Sequence, residues 1–220
     1  MTIHHDKLAY GRLASMSEDF SEENLIKMAH SVSDDKEYLD VVDENGNPTG
    51  EVVERSVAHK QGIRHRTSRV WIVRKKQDKL QVLLQKRSEE KDSCQGCYDI
   101  SSAGHIPSGD GYIASALREL KENLGVEAES EDLLYCGQRK ISFRSFFNET
   151  IFFDNQVSNV YLLWLDREEN CFFLKKDKAS EIKWFDFDDC LKEIECNGIP
   201  NCISTEELLL VKARAQKQET

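Results

Sequence analysis

The stretch Gly104–Val126, GHIPSGDGYIASALRELKENLGV, constrains this chain more than any other. A loop carrying Gly104, Gly109 and Gly111 runs into a helical pattern that stops at Gly125. At about 100° per residue, Ile113, Ala116, Leu117, Leu120 and Leu124 form one apolar stripe. Glu119, Glu122 and Asn123 fall on the other side at i, i+3 and i+4, a spacing that lets their oxygens converge on one point. Asp110 stands where an N-cap belongs, and Gly125 where a left-handed C′ residue belongs. A helix with an acidic face is ordinarily a solvated surface; the glycine-rich loop ahead of this one is what points to a site.

Composition restricts what that site can take. Forty acids against thirty bases give a net charge of −10. Nucleic acids and anionic membranes attract Lys/Arg patches, so neither is an expected partner. An anionic small molecule would need local help from a metal ion or a few basic side chains. No apolar run approaches the roughly 20 residues of a membrane span, and MTIHHDKLAYGR has no apolar signal-peptide core. The seven cysteines, scattered from Cys94 to Cys202, do not form a secreted disulfide framework. The expectation is a cytoplasmic protein with reduced thiols. Cys94-Gln-Gly-Cys97 has no second pair to complete a zinc site.

Along the chain, residues 1–35 read as an N-terminal extension with a short helix after Phe20-Ser21. Glu37–Asp43 alternates like a strand, and Glu44–Gly50 is dense in turn residues. Val70–Val73 and Leu80–Leu84 are β-rich runs joined by a hairpin over Lys75–Lys79. Tyr98–Ser102, Leu133–Phe147, Val157–Leu165, Phe172–Leu174 and Ile182–Phe187 are further strand candidates. Asp188-Asp189 open a helix to about Glu195. Ser204 and Glu207 have the spacing of a capping box for a last helix to about Gln216. Strands interrupted by helices on one core suggest an α/β fold with a helix-covered mixed sheet. Trp71, Trp164 and Trp184 lie in apolar strand patterns and read as core, and Phe143–Phe147 as pocket wall or core.

The order Gly104, five residues, Asp110, seven residues, then Arg118-Glu-Leu-Lys-Glu-Asn-Leu-Gly-Val126 resembles the Nudix box, with Asp110 and Asn123 standing where that family usually has Glu. The resemblance implies a Nudix-type α/β/α sandwich over residues 36–190, with 191–220 as a C-terminal helical segment. It implies Mg²⁺ or Mn²⁺ held by Glu119, Glu122, Asn123 and the Gly104 carbonyl, with Arg118 orienting a glutamate. Carboxylate and carbonyl oxygens suit such hard cations. Asp177 and Glu181 are candidates for an acid from outside the box.

Glu37–Gly50, Ala58-His59, His65, Val70-Trp71-Ile72, Leu83–Ser88 and Asp99–His105 further resemble the isopentenyl diphosphate isomerase-like branch. That branch implies nucleotide-type, nucleotide-sugar or prenyl diphosphates as substrates of a hydrolase acting by water attack on phosphorus. His65, His105, Arg66 and Arg87 are then candidates to bind phosphate, as are Arg69 and Lys86. A diphosphate binder weakened in catalysis by Asn123 is the alternative. An isomerase would use three histidines, which His59, His65 and His105 echo, but Ala103 occupies the place of its cysteine and Asp154–Asn159 contains no Glu. The terminal helices leave surface for a homodimer.

Overall fold

The structure, a computed structural model, describes residues 36–89, 94–147 and 150–218; the helix expected after Phe20 lies outside them. From Glu37 onward the chain forms one compact unit. It begins with a two-stranded sheet of β1 (Tyr38–Val42) and β2 (Pro48–Glu54), followed by α1 (Arg55–Gln61). β3 (His65–Lys76) and β4 (Lys79–Arg87) make the expected hairpin. Its turn residues Gln77 and Asp78 have φ of 53° and 59°, the double left-handed conformation that matches the strands' twist.

After the short strands β5 (Tyr98–Asp99) and β6 (Ser102–His105) comes the box helix α2 (Tyr112–Leu124). Two 15-residue strands, β7 (Leu133–Phe147) and β8 (Thr150–Trp164), then pair along their length. β9 (Ala179–Asp186), α3 (Phe187–Glu195) and α4 (Thr205–Gln216) follow. The main sheet has the order β5-β4-β3-β8-β7, with β6 on β3 and β9 on β4. Among the described strands of this sheet, β3 and β8 pair in parallel and the other pairs are antiparallel, which makes the sheet mixed.

Successive strand residues face opposite sides, so β3 feeds two cores. Trp71 and Val73 pack with Phe187, Ile194, Leu208 and Val211 of α3 and α4. Val70 and Ile72 pack with Ala116, Leu120 and Leu124 of α2. Helices therefore cover both faces, the α/β/α sandwich expected. Leu120 is fully buried, and truncating such a side chain to Ala costs about 2–5 kcal/mol. The stretch from residue 191 belongs to the same core through α4. Phe172–Leu174, expected as a strand, is irregular chain after a 3₁₀ turn.

Candidate functional site

The sheet face that carries Trp71 becomes polar toward the start of β3. Thr67 and Arg69 point to that side, with His105 and Ala103 opposite them on β6. On β8, Gln156 and Ser158 lie beside His65 and Thr67. On β7, Arg139, Ile141 and Phe143 lie opposite Ser158, Gln156 and Asp154. Most of these side chains line a cavity of about 460 Å³.

At one end of this face three histidines meet. His59 comes from α1, His65 from the start of β3 and His105 from the end of β6, and one ring nitrogen of each lies within 4.8 Å of the others. His65 Nδ1 bonds the Ile63 carbonyl at 2.9 Å, and His59 Nδ1 the Phe153 carbonyl at 3.2 Å. A carbonyl only accepts, so both Nδ1 atoms carry the proton and both Nε2 atoms keep a lone pair. His59 Nε2 then faces His105 Nε2 at 3.1 Å. Asp154 Oδ1 stands 3.8 Å from His65 Nε2, and neither buried atom has a hydrogen-bond partner among the described residues.

Burial lowers the pKa of His65 and holds His105 well below the ordinary imidazole value. Burial also pushes Asp154 up to about 6. The neutral His65 and His105 imidazoles, with His59 beside them and an Asp154 oxygen that has no hydrogen-bond partner among the described residues, make a donor set of the kind that suits a divalent cation. Sequence reasoning had not singled out Asp154. Its one visible signal is its place two residues before Gln156, which puts both side chains on the cavity face.

The box approaches the same cavity from the other side of the sheet. A Cβ at Gly104 would overlap the Glu119 carboxylate, so the missing side chain is what admits Glu119 to the lining. Arg118 Nη2 donates to Glu119 Oε1 and to the His105 carbonyl, both at 3.3 Å. Asn123 Nδ2 donates to Glu119 Oε2 at 2.7 Å, and Asn123 Oδ1 has no partner among the described residues.

Several expectations need correction here. Asn123 is buried with Leu120 and Leu124, while Ile113 of the expected apolar stripe is exposed. Glu122 is exposed and lies outside the cavity lining. The glutamate that Arg118 pairs with is Glu119, and the guanidinium also lies 3.9 Å from Asp110. The N-cap is Gly111, with no side-chain bond, and Gly125 closes the helix at φ 61°.

Arg66, a candidate for phosphate, is instead a strut. It donates to Asp40 at 2.7 Å and to the Asp110 carbonyl at 2.9 Å, and it is absent from the lining. Asp40 also accepts from Ser108 Oγ at 2.6 Å and from the Gly109 amide at 3.2 Å, so β1 pins the glycine-rich loop. Arg87 does line the cavity, paired with Asp99 at 2.9 Å. His105 lines it, and His65 lies fully buried behind. Neither Asp177 nor Glu181 reaches the lining. Glu207 does not cap α4; it is fully buried and accepts from Arg69 Nε at 2.8 Å and Trp71 Nε1 at 2.8 Å.

A mixed sheet between helices, with a glycine admitting a helix glutamate to a polar cavity, defines a class, and comparison with known proteins agrees with it. The NUDIX domain family matches residues 63–201. The chain belongs to the Nudix family. It is 35% identical over 159 residues to Nudix hydrolase 3 of Arabidopsis thaliana, covering 70% of this chain and 20% of that protein. The chain thus spans about a fifth of that relative's length. It is 30% identical over 161 residues to an uncharacterised Nudix hydrolase of Clostridium acetobutylicum, covering 73% and 75% of the two chains.

A protein named isopentenyl-diphosphate Delta-isomerase 2, from Photorhabdus laumondii, is 28% identical over 152 residues, covering 67% of this chain and 76% of its own. This places the chain with the isomerase-like branch. The crystal structure of DR0079 from Deinococcus radiodurans superposes with a TM-score of 0.57 at 21% identity, covering 79% of this chain and 97% of that one. Hydrolases of the family cleave diphosphate linkages in small molecules, generally with Mg²⁺ or Mn²⁺. No helix among the described residues is long and apolar enough to cross a membrane.

Proposed function

We propose that this chain is a divalent-metal-dependent hydrolase of a small-molecule diphosphate, acting by attack of water on phosphorus. The observation that carries the reading is the convergence of Glu119 and the histidine–Asp154 cluster on one cavity. Gly104, Glu119 and Asn123 supply oxygen donors of the kind that hold Mg²⁺ or Mn²⁺, and His59, His65, His105 and Asp154 supply a nitrogen-rich set suited to Mn²⁺ or Zn²⁺. A cation bound there would neutralise phosphoryl charge and lower the pKa of a bound water.

The chain's own residues divide the remaining work. Four acids of the lining are engaged by arginines, Glu37 by Arg55, Asp99 by Arg87, Glu207 by Arg69 and Glu119 by Arg118; of these, Glu119 is the one that Gly104 admits to the cavity from the box helix. Glu119, fixed by Arg118 and Asn123, is the carboxylate assigned to orient the attacking water and take its proton. As the new P–O bond forms, the bridging P–O bond breaks and the second phosphate leaves with the electron pair. Arg87 and His105 face the substrate. Among the described residues, the lining carries six arginines and lysines against five carboxylates, so its balance of charge is more positive than that of a chain of net charge −10.

Asn123 favours a second reading, a binder of diphosphates with reduced turnover, because an amide adds no charge to the donor set. The isomerase reading is disfavoured by Ala103, which faces the cavity from β6 with no proton to transfer. A panel of nucleotide, nucleotide-sugar and prenyl diphosphates with Mg²⁺ or Mn²⁺ separates these. Turnover is expected, with kcat down about 10²–10⁴-fold in Glu119→Gln and only slightly lowered in Glu122→Gln. Ligand-induced stabilisation without turnover would support the binder instead.

A further inference from the structure

We infer that this cavity takes a diphosphate carrying a second anionic group, a carboxylate or a phosphate monoester remote from the scissile linkage, and that Arg69 and Arg139 recognise that group. This rests on the diphosphate reading above and narrows its substrate class.

The first observation is what lies beyond the histidine end. Among the described residues, the apolar side chains of the lining are Ala103, Ile141, Phe143 and Phe152, apart from two cysteine thiols. Of these, Ile141, Phe143 and Phe152 lie on β7 and β8 at or beyond the histidine level, with Ile141 opposite Gln156 and Phe143 opposite Asp154. Moving the other way along the sheet, the lining turns charged, with each arginine held against a carboxylate. Arg139 lies opposite Ser158, and Arg69 opposite Ala103. Arg69 is two residues past Thr67, the partner of His105, so its backbone stands about 7 Å further along β3. A hydrocarbon tail extending this way would strip water from two guanidinium groups without replacing their hydrogen bonds.

The second observation is how these two arginines are held. Both are anchored by residues 204–207, beyond the 63–201 segment that matches the family. Glu207 takes Arg69 Nε on both carboxylate oxygens, at 2.8 and 3.0 Å. Ser204 Oγ takes Arg139 Nη1 at 2.6 Å, and Glu206 takes Nη2 at 3.0 Å. The Arg69 Nη nitrogens make no hydrogen bond among the described residues; Asp99 is 3.9 Å from one of them. Arg69, tied back through Nε with its terminal nitrogens unbonded at the cavity wall, is prepared for a planar anion such as carboxylate or phosphate; Arg139, whose terminal nitrogens are taken by Ser204 and Glu206, adds its charge beside it. Glu207 and Ser204 are positioning residues in this arrangement.

Two matched pairs of probes test the inference: UDP-glucuronate against UDP-glucose, which differ by a carboxylate, and coenzyme A against dephospho-coenzyme A, which differ by a phosphate. Geranyl diphosphate serves as the hydrocarbon case. Calorimetric affinities of the whole chain with Mg²⁺ are compared for wild type, Arg139→Gln, Arg69→Lys and Glu207→Gln, with hydrolysis recorded in the same samples. In at least one pair the more anionic member is expected to bind about tenfold tighter, and that preference falls to about twofold or less in each variant. The favoured pair identifies the group as carboxylate or phosphate. Arg139→Gln removes an arginine paired at Glu206, a carboxylate 86% exposed, and so guards against a folding defect at buried Glu207. The inference is overturned if neither pair shows a preference, if geranyl diphosphate binds tightest, or if the preference survives in Arg139→Gln and Arg69→Lys. A preference in binding with no hydrolysis overturns the hydrolase reading and leaves this one standing.

Discussion

Gly104 does its work by what it lacks. The space a Cβ would fill is taken by the Glu119 carboxylate, so Gly104→Ala must push that side chain back or tilt α2. A displacement of about 1 Å at a reacting group can cost roughly 10²-fold in rate. Gly104→Ala is expected to lose about that much in kcat with little change in thermal stability, measured in parallel assays. Asn123 was legible as a departure from the box, but its consequence was not. Its buried amide holds Glu119 through Nδ2, so Asn123→Glu places a second carboxylate against the first. That variant is expected to be less stable without metal and to gain turnover with Mg²⁺; unchanged turnover would show that Asn123 does not limit the rate.

Asp154 gives the clearest pH signature. Its carboxyl is raised to about 6 in the folded chain, against 3.8 in the unfolded one. A raised acid binds protons more readily when folded, so it costs stability at neutral pH, and the cost fades as pH falls from 6 toward 4. Asp154→Asn is expected to stabilise the metal-free protein at pH 7 by on the order of 1–3 kcal/mol. The gain should vanish near pH 4, and the metal-induced rise in Tm should shrink. Urea unfolding with and without chelator measures all three. Its spacing from Gln156 is the one local mark of Asp154, because the histidines beside it come from α1 and β3, remote along the chain.

Among the elements, the strands of the sheet core were legible because their patterns are local. β7 begins and ends where the sequence places it, and the β3–β4 hairpin follows from its turn residues. Elements whose polar residues serve distant partners were misread. Ser204 and Glu207 have capping-box spacing, yet both turn to arginines of the sheet, since a buried carboxylate with two donors, Arg69 Nε and Trp71 Nε1, outweighs one capping bond worth about 1 kcal/mol. The loop before α2 is tied to β1 in the same non-local way. Burial raises the Asp40 carboxyl, but hydrogen bonds from Ser108 and Gly109 and the Arg66 guanidinium bring it below 3.8 overall. That stability is present above pH 3.8 and is lost as pH falls through the lower folded value. Asp40→Asn should therefore flatten the acid limb of the stability profile, and lower kcat by loosening the glycine-rich loop.

At the scale of the whole molecule, the sandwich and the family were legible in one 23-residue stretch, because box, loop and helix are contiguous. The cavity was not, since it gathers side chains from α1, β3, β6, β7, β8 and the α4 end of the chain. That gathering gives the cavity a balance of charge more positive than that of the chain as a whole, whose net charge is −10, with the histidine–Asp154 cluster at one end. The central claim is water attack on phosphorus directed by Glu119. It is tested most directly by a single turnover in ¹⁸O-labelled water with Mg²⁺, using the substrate the panel identifies and mass analysis of the products. One ¹⁸O in a phosphate product, with the rate collapsing in Glu119→Gln, is the expected result. Label absent from every phosphate product, or turnover that survives Glu119→Gln unchanged, would contradict the account.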